Sequence, residues 1–367
     1  AGATIGRAAQ REEAMGKRIV VVGAGAVGGY TGAHMAQAGE DVTFVDFWPE
    51  NVAAINRDGL RITHHQGPEP FAVNVRALHL TEAQHLAKEP PVDIAFVCVK
   101  SYDTDWATRL IAQYLAPGGY VVSLQNCMNE ETIAGIVGWG KVMGCIASNI
   151  SVGLVAPGHV HRGGIRGIDR GHTVYRTGEV TGRITERAAE VCRLVGHADS
   201  AKATDNLWGE RWSKLVTNSM ANGVSACTGL SGVEMAQTEA IRHFQARVGG
   251  EAIRIGQALG YKLEEIGHLD PEIIARAGEG DAAALARYDD HRLSERRGAA
   301  DQRPSMGQDM AKGRRTEIEF LNGFVVREGA KAGLGARANE RLVDIVKRVE
   351  RGELTQDPRH ITELRLN

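Results

Sequence analysis

The sequence predicts an α/β fold: an N-terminal doubly wound, mostly parallel sheet, followed by an all-α C-terminal domain. Three observations carry this. An apolar strand at residues 18–22 runs straight into G-x-G-x-x-G at the head of a helix. Strands and helices then alternate through the first half, with one unbroken apolar run at 93–99 of the kind buried on both faces of a parallel sheet. From about Asn206 the texture changes, and long helical patterns take over.

The opening element is Arg-Ile-Val-Val-Val-Gly-Ala-Gly-Ala-Val-Gly at 18–28. Gly23 allows the tight turn, Gly25 lets the backbone approach a pyrophosphate, and Gly28 lets the helix pack on the strand. Ala26 and Val27 complete this helix entrance, whose N-terminus favours an anion. A second strand, Asp41–Val45, ends in Asp46, about 20 residues on from the turn, where a carboxylate accepts the ribose hydroxyls of NAD and repels a 2′-phosphate. Phe47, Trp48, Pro49 and Glu50 follow without a cation, and no candidate phosphate receiver appears before Arg57. The expected cofactor is therefore NAD rather than NADP. A helix N-cap ahead of Pro49 is the plainer role for Asp46. Phe47 and Trp48 suit either an adenine contact or ordinary packing.

A helix near Pro49–Arg57 is followed by short strands at Leu60–Thr63 and Phe71–Leu78. The apolar strand Asp93–Val99 ends at Lys100. A helix, Thr104–Leu115, leads to strand Tyr120–Gln125, which ends at Asn126. Lys141–Ile150 and His172–Arg176 are later strands and Thr185–Val195 a helix, giving a doubly wound sheet of Rossmann type with antiparallel additions. This domain spans 17–205. The second domain, 206–367, carries helical patterns at Leu207–Thr228, Glu239–Leu259, Thr316–Ala332 and Ala336–Glu350. Between them Glu264–Arg303 is charged, Gly- and Ala-rich and weakly periodic. It fits an extra helical hairpin or, better, a mobile surface insertion.

The 367 residues suffice for two cores, and the net charge of −2 with mixed signs offers no basic surface for nucleic acid and no polybasic run for a membrane. Cys98, Cys127, Cys145, Cys192 and Cys227 form no CxxC pair, and the thirteen histidines form no HExxH cluster, so no metal site is expected. Cys98 in an apolar strand and Cys227 in an apolar helix fit reduced thiols of a cytoplasmic enzyme. Leu215–Val233 is uncharged but rich in Asn, Thr, Ser and Gly, which suits a buried helix rather than a membrane span. Residues 1–16 lack the apolar core of a signal peptide. Met15 fits a natural start, with the preceding stretch a tag remnant or disordered extension.

Ligands of such sheets bind beyond the carboxyl ends of the strands, where Lys100 and Asn126 stand. In the helical domain Lys214, Asn218 and Asn222 recur at i, i+4 and i+8 along one helix face. A lysine in a buried helix is either ion-paired or an acid–base group with a lowered pKa. Neighbouring amides can orient a carboxylate or carbonyl without competing for the proton. Glu317 heads another helix and shares the inward face of Phe320, Leu321 and Phe324, with Lys214 the candidate partner for its charge. Ser305 follows Pro304 as a loop or N-cap serine.

These residues lie within stretches by which the chain resembles the ketopantoate reductases (2-dehydropantoate 2-reductases) from Lys17 to about Arg351. The stretches are GAGAVGGYTGAHMAQAG at 23–39, CVKSYDT at 98–104, LQNCMNE at 124–130, PGHVHRGG at 157–164, WSKLVTNSMANGVSA at 212–226, SMGQDM at 305–310 and RTEIEFLNGFVV at 315–326. The resemblance implies that Lys214 is the catalytic lysine, donating a proton to the carbonyl oxygen as hydride arrives. It implies that Glu317 contacts the bound ligand, that Asn126 stands between nicotinamide and substrate, and that Asn218, Asn222 and Ser305 bind substrate. Lys100 matches a lysine beside the cofactor.

Two departures bear on the reaction. Asp46-Phe47-Trp48 stands where NADPH-using members usually have an arginine, and the 264–303 segment is lengthened just before Ser305. The expectation is an NAD-dependent oxidoreductase interconverting a 2-oxo acid or related ketone with its D-hydroxy form, with 2-dehydropantoate the leading substrate. The alternatives are a catabolic dehydrogenase of another D-2-hydroxy acid, such as mandelate, or of a secondary alcohol, and, more remotely, a non-catalytic NAD(H) sensor. The long apolar C-terminal helices suit a homodimer.

Overall fold

All five residues of strand β1 (Arg18–Val22) are buried, and they alternate between two apolar layers. Ile19 and Val21 pack in one layer with Tyr30 and Met35, while Val20 and Val22 pack in the other with Ala107 and Ile111. Such two-sided burial belongs to the middle of a parallel sheet. In the computed structural model, which describes residues 16–294 and 303–365, β1 lies between β2 (Asp41–Asp46) and β6 (Val92–Val97), parallel to both.

The main sheet has eight strands in the order β12-β11-β8-β7-β6-β1-β2-β5. The remaining members are β5 (Arg76–His79), β7 (Leu115–Ser123), β8 (Val142–Ala147), β11 (Tyr175–Glu179) and β12 (Ala201–Thr204). From β5 to β8 all neighbours are parallel, and β11 joins β8 antiparallel. The strand order reverses between β1 and β6, so their carboxyl ends mark the switch point where such sheets receive ligands. Helices α1 (Ala26–Gln37), α2 (Pro49–Asp58), α3 (Thr104–Ala112), α4 (Glu130–Val137) and α5 (Glu186–Gly196) complete this unit.

Three expectations are corrected here. Phe71–Leu78 is two strands, because the chain changes sheets at Asn74 and Val75. Its first part, β4 (Phe71–Val73), pairs antiparallel with β3 (Leu60–His64), and only β5 enters the main sheet beside β2. The hairpin of β9 (Val152–Ala156) and β10 (His159–Arg162) then completes a second sheet in the order β4-β3-β10-β9. The strand expected at His172–Arg176 runs instead at Tyr175–Glu179, and Cys98 falls just beyond β6.

The chain divides after Leu207 into two compact units. The second is built from α6 (Leu207–Thr228), α7 (Gly232–Gln237), α8 (Glu239–Ala258), α9 (Pro271–Gly278), α10 (Ala282–Ser294), α11 (Ser305–Ala311), α12 (Asn322–Lys331), α13 (Arg337–Glu350) and α14 (Arg359–Thr362). Trp212 of α6 is fully buried and donates through Nε1 to the Ala252 carbonyl of α8 at 2.9 Å. Gly256 makes room for it, since a Cβ there would lie 2.3 Å from that nitrogen.

As far as residue 294, the segment that begins at 264 is a packed helical hairpin rather than a mobile surface insertion. Ile274, Ala275 and Tyr288 are buried, and Arg254 of α8 grips Glu272 and Glu279 while Arg242 and His243 grip Asp289. Residues 295–302 of that segment, and residues 1–15 of the N-terminal stretch taken as a tag or extension, lie outside the described residues. Among the described residues no helix is long and apolar enough to cross a membrane, and no three His, Cys, Asp or Glu side chains converge as a metal-binding group.

Candidate functional site

The first unit carries the dinucleotide turn. Gly23 has φ +102° and donates its N–H to the Val45 carbonyl at 2.8 Å. A Cβ there would stand 3.0 Å from the Val99 nitrogen, so the turn presses against the end of β6. At Gly28 a Cβ would fall 2.1 Å from the Gly23 oxygen and 2.7 Å from Cys98 Cβ, which is the close helix-on-strand packing its place in the motif requires. Gly25 is different: a Cβ there would meet nothing within 4 Å. Its surroundings leave space for a bulky group against the backbone. The first bond within α1 runs from Gly29 N to Gly25 O, so the amides of Ala26, Val27 and Gly28 precede it, and the first turn holds no acidic side chain. These residues fit a dinucleotide pyrophosphate.

Asp46, 6% exposed, ends β2. Its Oδ2 accepts the Ala24 N–H at 2.6 Å and its Oδ1 the Trp48 N–H at 2.8 Å. Burial pushes the carboxyl above its usual pKa, against the pull of those amides and of His79. Asp46 is not the N-cap of α2. Trp48 holds that position, without a side-chain cap. Arg57 lies in the last turn of α2, exposed and paired with Asp58. Sequence reasoning missed His79, which stands opposite Asp46 in the β2–β5 register and donates through Nε2 to the Phe47 carbonyl at 3.2 Å. Only strand register, not sequence distance, could have revealed it. Phe47 meets Trp106 edge-on, with ring centroids 6.3 Å apart.

Lys100 and Asn126, both half-buried, follow the neighbouring strands β6 and β7. Gln125 stitches the two exits together, its Nε2 donating to the Val99 carbonyl and to Thr104 Oγ1, each at 2.8 Å. Asn129 adds a second tie, donating to the Asn126 carbonyl at 2.8 Å and to Ser101 Oγ at 3.2 Å. Between these residues Cys127 adopts φ +67°, a left-handed conformation that a non-glycine residue holds only when its surroundings enforce it.

In the second unit Lys214 is half-buried on α6, one turn before Asn218 and two before Asn222, both buried. Asn222 Nδ2 donates to the Asn218 carbonyl at 3.2 Å. Its Oδ1 accepts from Ser305 Oγ at 3.0 Å and from the Met306 amide at 3.1 Å. Ser305 is thus the first residue of α11 rather than its cap, and the cap comes from Asn222 on another helix. Gly307 permits the approach, since a Cβ there would lie 2.3 Å from Ser225 Oγ.

Glu317 does not head a helix. The helix expected at Thr316–Ala332 begins only at Asn322, because Leu321 leaves the helical region with ψ −93°. Asn322 is fully buried and donates to the Ser219 carbonyl and to Asn339 Oδ1, and the chain turns to deliver it. Glu317, 6% exposed, opens that turn, its carbonyl accepting the Phe320 and Leu321 amides. Its neighbour Ile318 seats against Gly223 of α6, where a Cβ would meet Ile318 Cδ1 at 2.9 Å. The structure therefore brings Asn222 and Ser305 together and holds the Glu317 turn against the same helix.

Two family models match the chain: ketopantoate reductase PanE/ApbA over residues 19–173, and ketopantoate reductase PanE/ApbA C terminal over residues 206–350. The 2-dehydropantoate 2-reductase of Archaeoglobus fulgidus is 30% identical over 340 residues, covering 92% of this chain and 99% of that protein. Its namesake from Pyrococcus horikoshii is 29% identical over 336 residues, 91% of this chain and 97% of the relative. Among solved structures, a PanE/ApbA family ketopantoate reductase from Ralstonia eutropha JMP134 has a TM-score of 0.72 at 28% identity, covering 92% of this chain and 99% of the other. A D-mandelate dehydrogenase, seen with NADH and anilino(oxo)acetate, shares the fold with a TM-score of 0.74 at 21% identity over 91% of this chain and 98% of the other.

Proposed function

The chain belongs to the ketopantoate reductase family, oxidoreductases acting on a CH–OH group, and we propose that it is an NAD-dependent member interconverting a 2-oxo acid with its D-2-hydroxy acid. The leading substrate is 2-dehydropantoate, the substrate in the names of its relatives. The observation that carries the cofactor preference is Asp46, buried at the end of β2 with an amide on each oxygen and no arginine or lysine between it and Arg57. Gly23, Gly25, Ala26, Val27 and Gly28 would hold the pyrophosphate, with Lys100 and Asn126 toward the nicotinamide end.

When bound, the nicotinamide supplies a hydride to the carbonyl carbon, or accepts one from the alcohol carbon. Lys214 gives its Nζ proton to the carbonyl oxygen, so C=O becomes C–OH, and it takes that proton back in the oxidation. Asn218 and the Asn222–Ser305 pair orient the substrate carboxylate, and Glu317 contacts the ligand and steadies the lysine. A non-catalytic NAD(H) sensor would have no need of this proton donor. A homodimer in the cytoplasm belongs to the same proposal.

A second reading is oxidation of another D-2-hydroxy acid or of a secondary alcohol. It is favoured by Asp46 together with the α9–α10 hairpin, which precedes Ser305 in the chain. Fluorescence titration with NADH and NADPH, followed by assay of 2-dehydropantoate reduction, separates the two. Tighter NADH binding with rapid turnover supports the first reading. Tighter NADH binding with poor turnover supports the second, and preference for NADPH overturns the role given to Asp46.

A further inference from the structure

Asn51, on α2, is completely buried, and both its amide atoms bond to backbone. Its Nδ2 donates to the Ala24 carbonyl at 3.2 Å, inside the glycine turn. Its Oδ1 accepts the amide of Gly158 at 2.8 Å, 107 residues away at the tip of the β9–β10 hairpin. That second bond fixes which way the amide group faces, so the nitrogen must point at Ala24. On the other side of Ala24, the N–H is taken by Asp46 Oδ2 at 2.6 Å. Ala24 is therefore held at both its donor and its acceptor, by two side chains from different elements.

A trans peptide is planar, with its C=O and N–H pointing in opposite directions. Holding the Ala24 carbonyl toward Asn51 consequently turns the Gly25 N–H away from Asn51. It also sets the direction in which the chain enters α1, where the amides of Ala26 and Val27 lead the helix. The hairpin is braced for this task. Gly158 has φ +68° and sits so close to α2 that a Cβ would lie 3.1 Å from Ala54 Cβ, while its carbonyl accepts Arg61 N–H at 2.8 Å.

We propose that Asn51 is a positioning residue for the dinucleotide phosphates: through the Ala24 carbonyl it fixes the peptide plane that carries the Gly25 N–H and so sets the direction in which the Ala26 and Val27 amides follow. This rests on the dinucleotide-binding reading of the first unit. The decisive substitution is Asn51→Asp, which keeps the acceptor for Gly158 but, when ionised, sets a negative oxygen against the Ala24 carbonyl.

Three measurements test it, with NADH and ADP-ribose as probes. In the folded Asn51→Asp protein, Kd and KM for NADH should rise about tenfold, the loss of roughly one hydrogen bond, while kcat at saturating NADH stays within twofold. Relative to wild type at each pH, the defect should shrink from pH 8 to pH 5 as the new carboxyl gains a proton and can donate again. In the wild-type protein, amide exchange across residues 24–28 should slow when ADP-ribose binds, a readout that needs no variant and stands if Asn51→Asp does not fold. Wild-type affinity in the folded variant, or unchanged exchange across 24–28 in the ADP-ribose complex, overturns the role of Asn51. Failure of wild-type protein to bind either probe overturns the dinucleotide reading itself, and the proposal with it.

Discussion

The Ser305 hydroxyl and the Met306 amide both donate to Asn222 Oδ1, at 3.0 and 3.1 Å. One buried asparagine thus caps α11 and fixes a hydroxyl assigned to the substrate. Removing the two partners should have separable effects. Asn222→Ala loses both bonds, so it should cost about 1 kcal/mol of stability as a lost helix cap and raise KM for the oxo acid about tenfold. Ser305→Ala keeps the Met306 bond and should raise KM while leaving the melting temperature nearly unchanged. Equal losses of stability in the two variants would remove the capping role from Asn222.

Lys214 is assigned the proton. Lys214→Ala should lower kcat by about 10²- to 10⁴-fold, the usual span for a general acid–base group, while Kd for NADH stays within twofold. Turnover at the wild-type rate would take the proton transfer away from this lysine.

His34 makes a prediction about acid. Its ring is buried beside Tyr30, Phe71 and His64, and burial first, then the positive charges of His64, Arg162 and Arg166, lowers its pKa to about 4. The folded value lies below the unfolded one, so between pH 6.5 and pH 4 the unfolded chain binds more protons. Stability is complete above that window and is lost as pH falls through it, by at most about 3 kcal/mol from this group. His64, also lowered chiefly by burial, acts in the same direction. Melting temperatures from pH 4.5 to 7 should fall toward acid, with a shallower slope in His34→Gln. An identical slope in that variant would refute the assignment.

Arg162 and Asp199 form an ion pair at 2.5 Å with both side chains fully buried. Asp199 also accepts the amides of Gly167, Ile168 and Ser200. Asp199→Ala strands the guanidinium in the interior and should cost about 3–5 kcal/mol. Denaturant unfolding monitored by circular dichroism measures this, and a loss below about 1 kcal/mol would contradict it.

Legibility in the sequence followed the range of the forces involved. Gly23, Gly25 and Gly28 act on backbone within a few residues, and their steric roles were readable from spacing alone. Phe71–His79 was not, because alternation along a strand says nothing about which sheet it joins. The β9–β10 hairpin was hidden by His159, His161 and Arg162, polar residues whose burial depends on partners such as Asp199 far along the chain. The α9–α10 hairpin is weakly periodic because Arg254, Arg242 and His243 hold it to α8 by charge as well as by apolar contact. The Asn218–Asn222 stripe was visible on its helix, but the bond to Ser305 spans 83 residues and leaves no local trace.

The tie between Asn51 and Gly158 also sets a schedule for biosynthesis. The glycine motif leaves the ribosome early, yet the side chain that locks it cannot be oriented until residue 158 has emerged. A nascent chain stalled before that point carries every glycine of the phosphate turn and the helix behind it, with the Ala24 carbonyl still unclaimed. On the proposed role of Asn51, the lock on the glycine turn thus depends on a hairpin that contains none of the motif.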